Sequence, residues 1–283
     1  MASKAWAKFP HPSTSFDYAG ERLAKHWDAL HAGDGEVFPD AAHIREMLKR
    51  HPKAGKAAQA EAIAERLQDA WRAYHRGDFE QAWREGRELG PLGASVAVKA
   101  GGIHAVYLVE DEATRIERFR ALAELAEEAT QVLPDDPNTH YRMAFALGRY
   151  AQGISIAKAL AQGLAGRVRA ALERTLELAP KHAEAHSALG LYHAEIVAKV
   201  GAMIGGLTYG AKASTGEKLL LEATRLTPKA PIAHIEYAHG LLLLYGDRRE
   251  DDAAAAFEKA SRLKPRDAME KLDVEYARDQ IEE

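Results

Sequence analysis

Residues 172–193 read LERTLELAPKHAEAHSALGLYH, and this stretch decides the fold. An apolar-periodic segment ends at Pro180, and a second one begins three residues later. A helix that stops before a proline and restarts at once is one half of a helical hairpin. The same ending recurs along the chain as AEEATQVLP (126–134), LEATRLTP (221–228) and FEKASRLKP (257–265). Each has Ala or Thr five residues before its proline: Ala129, Thr175, Ala223 and Ala260. Second helices begin at NTHYRMAFALG (138–148), AEAHSALGLYH (183–193) and IAHIEYAHGLL (232–242). Nearer the start, Trp27, His31, Gly33 and Asp34 recur in identical spacing as Trp71, His75, Gly77 and Asp78. One hairpin is therefore written several times, which is the mark of a repeat architecture.

Composition agrees with that reading. The 283 residues suffice for a sizeable core, and alanine supplies about a fifth of them, which favours helix. The formal net charge is −4, so there is no bulk basic field for a phosphate backbone, and nucleic acid is not expected as the main partner. The absence of cysteine removes disulfides, thiolate catalysis and Cys-ligated zinc together. No apolar run approaches the ~20 residues that span a bilayer, and MASKAWAKFPHPSTS lacks the apolar core of a secretory leader. The expectation is a cytoplasmic protein without a transmembrane segment.

On these residues the chain resembles the tetratricopeptide repeat (TPR) family. Ala70, Gly77, Phe79 and Ala82 fit one unit. Leu189, Gly190 and His193 begin another, while Ala253, Phe257, Ala260 and Pro265 finish the last. Small residues at those places let paired helices approach to about 8–10 Å. The resemblance implies an all-α, right-handed superhelix of about five to six antiparallel helical hairpins with a C-terminal capping helix. It covers 57–266, preceded by a degenerate hairpin over 17–56 and a mobile arm over 1–16, with Trp6 and Phe9 as its sticky points. A capping helix over 267–283, with an acidic outer face, closes the array.

The successive prolines lie 46, 48 and 37 residues apart, all more than the usual 34. The extra residues form two apolar, Gly-rich insertions, RYAQGISIAKALAQGLAGR (149–167) and IVAKVGAMIGGLTYGAKASTGE (196–217). A third such stretch occupies 94–109. Enlarged central repeats and the closing KPRDAMEKLDVEYARD also resemble the regulator of microtubule dynamics family, which implies microtubules or lipids as candidate partners.

Chemistry-bearing motifs are weaker. His182 and His186 lie at i, i+4, as zinc requires, but Glu184 and Gly190 sit at the wrong places for a zinc protease. His186 shares its place in the repeat with His140 and His234, which points to a packing role. GGLTYGAKAST (205–215) lacks the consecutive Gly-Lys-Ser/Thr of a phosphate loop. The expectation is no enzyme, no metal and no cofactor.

Binding is expected in the concave groove that the family resemblance implies. Its positions fall on Leu67, Trp71 and Tyr74; on Tyr141, Phe145 and Arg149; on Leu191 and Glu195; and on Ile232, Ile235, His239 and Leu242. These are mostly apolar, and the Lys/Asn/Arg clamp for acidic tails is absent. The reading is a non-enzymatic interaction scaffold that binds a protein or peptide. The alternative is a carrier whose groove and Gly-rich insertions enclose a lipid or other hydrophobic molecule. Self-filling of the groove by the insertions is a third outcome, and oligomeric state is not readable from sequence.

Overall fold

A computed structural model describes residues 6–282, and these form fifteen α-helices, five short 3-10 turns and no strand. The chain divides into two compact units. The first comprises residues up to 29 together with 36–168; the second comprises 30–35 together with residues from 169 onward.

The first unit opens with α1 (Arg22–Leu30) and α2 (Ala41–Arg50). Then follow α3 (Ala60–Arg76), α4 (Phe79–Glu88), α5 (Ala94–Leu108), α6 (Glu112–Val132) and α7 (Pro137–Gln152). Each of α2 to α6 packs on its successor. Between α3 and α4 the chain reverses at Gly77, whose φ of +92° suits a residue without Cβ. Asp78 then caps α4 by accepting from the Gln81 amide at 3.4 Å. Asp111 and Asp136 cap α6 and α7 in the same way, at 2.8 and 3.1 Å. The earlier copy of the Gly-Asp pair behaves differently. Gly33 has no positive φ, Gly35 has it instead (+58°), and Asp34 is buried against His31.

Helix α5 covers most of the third Gly-containing stretch and makes a hairpin of its own with α6. Residues 94–102 are all buried, so this helix is apolar on every side because every side meets protein. Phe145 of α7 lies directly over Gly102, and Leu122 of α6 over Gly101, where no Cβ fits.

Helix α9 (Leu164–Leu178) carries the division between the units. The second unit continues with α10 (Ala183–Val200), α11 (Ala202–Tyr209), α12 (Ala213–Leu226), α13 (Pro231–Tyr245), α14 (Glu250–Ser261) and α15 (Ala268–Glu282). Helices α10, α12, α13, α14 and α15 stack in that order, with α10 also touching α13. The pairing of α10 with α12 depends on two glycines. A Cβ on Gly190 would fall 2.6 Å from Leu220 Cγ, and one on Gly216 would fall 3.0 Å from the Gly190 carbonyl oxygen. The four small residues before the prolines, Ala129, Thr175, Ala223 and Ala260, are at most 1% exposed. They are the helix contacts that the periodicity marked. The described residues are all-α, a succession of helices that pack on their neighbours as hairpins.

Both Gly-rich insertions contain a short separate helix. That in 149–167 is α8 (Ile156–Ala161), capped by Ser155; that in 196–217 is α11. The N-terminal segment, expected as a mobile arm, lies against the first unit from residue 6 onward; residues 1–5 are outside the described residues. Trp6 packs on Trp83 and His104 at centroid distances of 5.2 and 4.4 Å, and the Arg118 guanidinium covers its ring at 4.2 Å. Phe9 meets Phe79 edge-on at 6.3 Å and closes over Gly77. In the capping helix two of the acidic residues turn inward rather than outward: Glu270 and Asp273 are buried. Burial pushes the Glu270 carboxyl up, and the Arg266 guanidinium that holds it opposes that shift.

Candidate functional site

The predicted groove positions separate into residues consumed by the core and residues left open. In the first unit Leu67, Trp71 and Tyr74 are at most 3% exposed. Trp71 stands edge-on to Trp27 (5.8 Å) and to Tyr74 (5.5 Å), and stacks on His75 (5.9 Å). Edge-on aromatic pairs contribute about 0.5–1.5 kcal/mol each beyond their buried area. These three side chains build a core and offer nothing to a partner, which corrects their placement in a groove. Sequence could not separate the two roles, because an aromatic stripe at helical spacing serves either.

Farther along the unit, Tyr141 is buried under the Arg142 guanidinium, 5.1 Å from its ring. Arg142 is itself buried; its Nε donates to Ser95 Oγ at 3.3 Å, and Ser95 donates onward to Glu36 at 2.6 Å. Phe145 is half-buried in the notch over Gly102, edge-on to Phe119 at 5.9 Å. Arg149 is half-exposed and donates to Gln152 Oε1 at 3.4 Å.

The second unit leaves more of its predicted surface open. Ile235 is buried in a cluster with Phe257, Ala260 and Ala277, and Ile232 packs at its edge. His239 shares a hydrogen bond with the Tyr276 hydroxyl at 2.9 Å, its ring set between Phe257 and Tyr276. It is therefore the capping helix, rather than an insertion, that covers this part of α13. Leu191 and Glu195 on α10 are half-exposed, and Glu195 pairs with Lys199 at 3.4 Å. Leu242 is 38% exposed beside Leu243 at 40%. Leu243 was missed because α13 is apolar nearly all round, so periodicity did not tell its faces apart.

The histidines at the equivalent repeat positions have one job. His140, His186 and His234 each place Nε2 on the carbonyl oxygen of the proline six residues earlier, at 2.9, 2.9 and 3.0 Å. His182 caps α10 instead, accepting from the Ala185 amide at 3.0 Å. Among the described residues no group of three His, Asp or Glu is arranged to hold a metal ion. Burial, aided by the nearby Arg169, lowers the pKa of His193, whose Nδ1 accepts from the Lys212 amide at 3.2 Å.

Among the described residues the most exposed large hydrophobic side chains lie on α11. Met203 and Leu207 are 76% and 85% exposed, with Ile204 beside them. Met203 and Leu207 point into solvent. On α8, Ile156 and Leu160 are exposed as well. The Gly-rich apolar composition marked both stretches, but which side chains would face outward depended on how each short helix is anchored. Among the described residues no helix is long and apolar enough to cross a membrane.

No protein-family model matches the chain, so the resemblance to the regulator of microtubule dynamics family gains no support. No curated protein matches it. Among solved structures, a monomeric mutant of IFIT1 with Gppp-AAAA is similar over 85% of this chain, at 16% identity and a TM-score of 0.41. The chain spans 59% of the length of that structure's chain.

Proposed function

We propose that this protein is a non-catalytic helical-repeat interaction protein that receives an apolar segment of a partner protein on α10 and α13. The observation that carries the reading is the fate of the groove positions. Those of the first unit are largely spent on core packing, whereas Leu191, Glu195 and Leu242 stay accessible on two helices that touch, with Leu243 adjoining. A mostly aliphatic surface with one carboxylate fits an amphipathic helix with apolar anchors at i, i+3/i+4 and i+7. His140, His182, His186 and His234 support a non-catalytic role, being engaged with backbone atoms in the turns.

A displayed peptide library selected on the full chain tests the proposal, with Leu191→Asp/Leu242→Asp as counter-target. Enriched peptides should carry apolar anchors at helical spacing and bind the variant at least about tenfold more weakly, as removal of central apolar anchors does. Peptides that bind both proteins equally would move the surface elsewhere. Microtubules, named by the family resemblance, enter the same comparison by co-sedimentation.

A further inference from the structure

Helix α11 is fastened by its backbone, and this leaves its large side chains free. The buried Gly205 faces Ile196, Val197 and Ala211 with no side chain of its own, and its carbonyl accepts from the Ala211 amide at 2.9 Å. At the helix end the Tyr209 carbonyl accepts from Arg169 Nη1 at 2.9 Å and from the Tyr192 hydroxyl at 3.2 Å. Gly201 (φ +82°) and Gly210 (φ +63°) turn the chain into and out of the helix. With anchoring done by glycine and main-chain oxygens, Met203, Ile204 and Leu207 share one outward face at i, i+1 and i+4. Between 196 and 216 the charged residues are Lys199 and Lys212, both exposed. The bounding acids are engaged: Glu195 pairs with Lys199, and Glu217 accepts from Tyr245 and Arg249 at 2.6 and 3.1 Å.

We infer that α11 docks on the surface of an anionic lipid bilayer. Met203, Ile204 and Leu207 enter the boundary between headgroups and acyl chains, Lys212 faces lipid phosphates, and Lys199 exchanges its Glu195 partner for them. A protein partner fits less well. A helix of eight residues is only about 12 Å long, and three protruding side chains fall far short of the ~800 Å² per partner of a stable interface. A bilayer needs no complementary shape. The other insertion, in the first unit, carries the same chemistry independently: Ile156 and Leu160 are 64% and 52% exposed, Lys158 lies between them, and residues 137–172 contain no Asp or Glu.

Flotation of the full chain with phosphatidylcholine vesicles, with and without phosphatidylserine, tests this. Binding should require phosphatidylserine, weaken with salt, and fall about tenfold in Met203→Gln/Leu207→Gln. Lys199→Gln/Lys212→Gln should remove the phosphatidylserine dependence. An unchanged thermal midpoint in each variant confirms folding, since all four side chains are exposed. As a second readout, the Leu207→Trp variant should gain a blue-shifted emission component on anionic vesicles alone. No flotation, flotation that the apolar variant leaves unchanged, or an unshifted emission would overturn the inference. So would a wild-type dimer that becomes monomeric in the apolar variant without any vesicle binding, which would make the face a self-association surface. Loss of the peptide site on α10 and α13 leaves these readouts untouched, so the two proposals fail separately.

Discussion

His186 places Nε2 2.9 Å from the carbonyl oxygen of Pro180, so the first turn of α10 is tied to the end of the helix before it. His140 with Pro134 and His234 with Pro228 repeat the contact. In each case the histidine is the fourth residue of its helix and reaches back past the cap. It is a hydrogen-bonded counterpart of the hydrophobic staple, and it fixes how the chain enters the helix after each proline.

Removing these contacts should cost stability in graded fashion. His140→Ala and His186→Ala lose bonds at half-open sites, and about 1 kcal/mol each is expected. His234 is 3% exposed, so His234→Ala should cost more, about 1–3 kcal/mol, as its proline carbonyl loses a partner in a drier place. Urea unfolding of the three variants decides the order; equal losses would mean that the bond itself contributes little.

Zinc should leave the protein unmoved. His182 Nδ1 and His186 Nε2, the pair whose spacing fits a metal, are both committed to backbone atoms. Thermal melts with and without equimolar zinc should superimpose, and a stabilising shift would show that the imidazoles are released for binding.

Gly102→Ala should destabilise the first unit by about 1–3 kcal/mol, the usual cost of overpacking. The new methyl would fall 2.2 Å from the Cε1 edge of the Phe145 ring. Phe145→Leu should recover part of that loss, so the double-mutant cycle is non-additive. Additive effects would mean that the ring swings aside freely.

Acid should weaken the protein through His104. Burial first, and the Arg118 guanidinium second, lower its pKa from 6.5 to about 4. The ring is neutral in the fold, with Nε2 on the Ala7 carbonyl at 3.2 Å and Nδ1 against Arg118. Between pH 6.5 and 4 the unfolded chain binds a proton that the folded chain refuses. Its contribution is thus complete above 6.5 and is lost as pH falls through about 4. Denaturant titrations should show stability falling across that window, with a shallower fall in His104→Gln.

Trp6→Ala probes the same place from outside. The indole covers His104 and Arg118, so its loss should admit water, raise the His104 pKa toward 6.5 and flatten the acid dependence. An unchanged His104 titration by NMR would mean that the N-terminal segment does not control this histidine.

The repeat was legible in the sequence because its causes are local. A proline ends a helix wherever it occurs, an Ala or Thr five residues earlier marks the contact, and Gly77 announces a turn that only a left-handed φ allows. Tertiary structure alone decided which apolar residues are spent and which remain. Trp71 and Tyr74 vanish into a core because Trp27 and Lys99 arrive over their rings from other parts of the chain. Leu207 stays in water because α11 is held by glycine and carbonyl groups. Helical periodicity says that a side chain has a face. Whether that face is covered depends on residues far away in sequence, and burial is a property of the assembled chain.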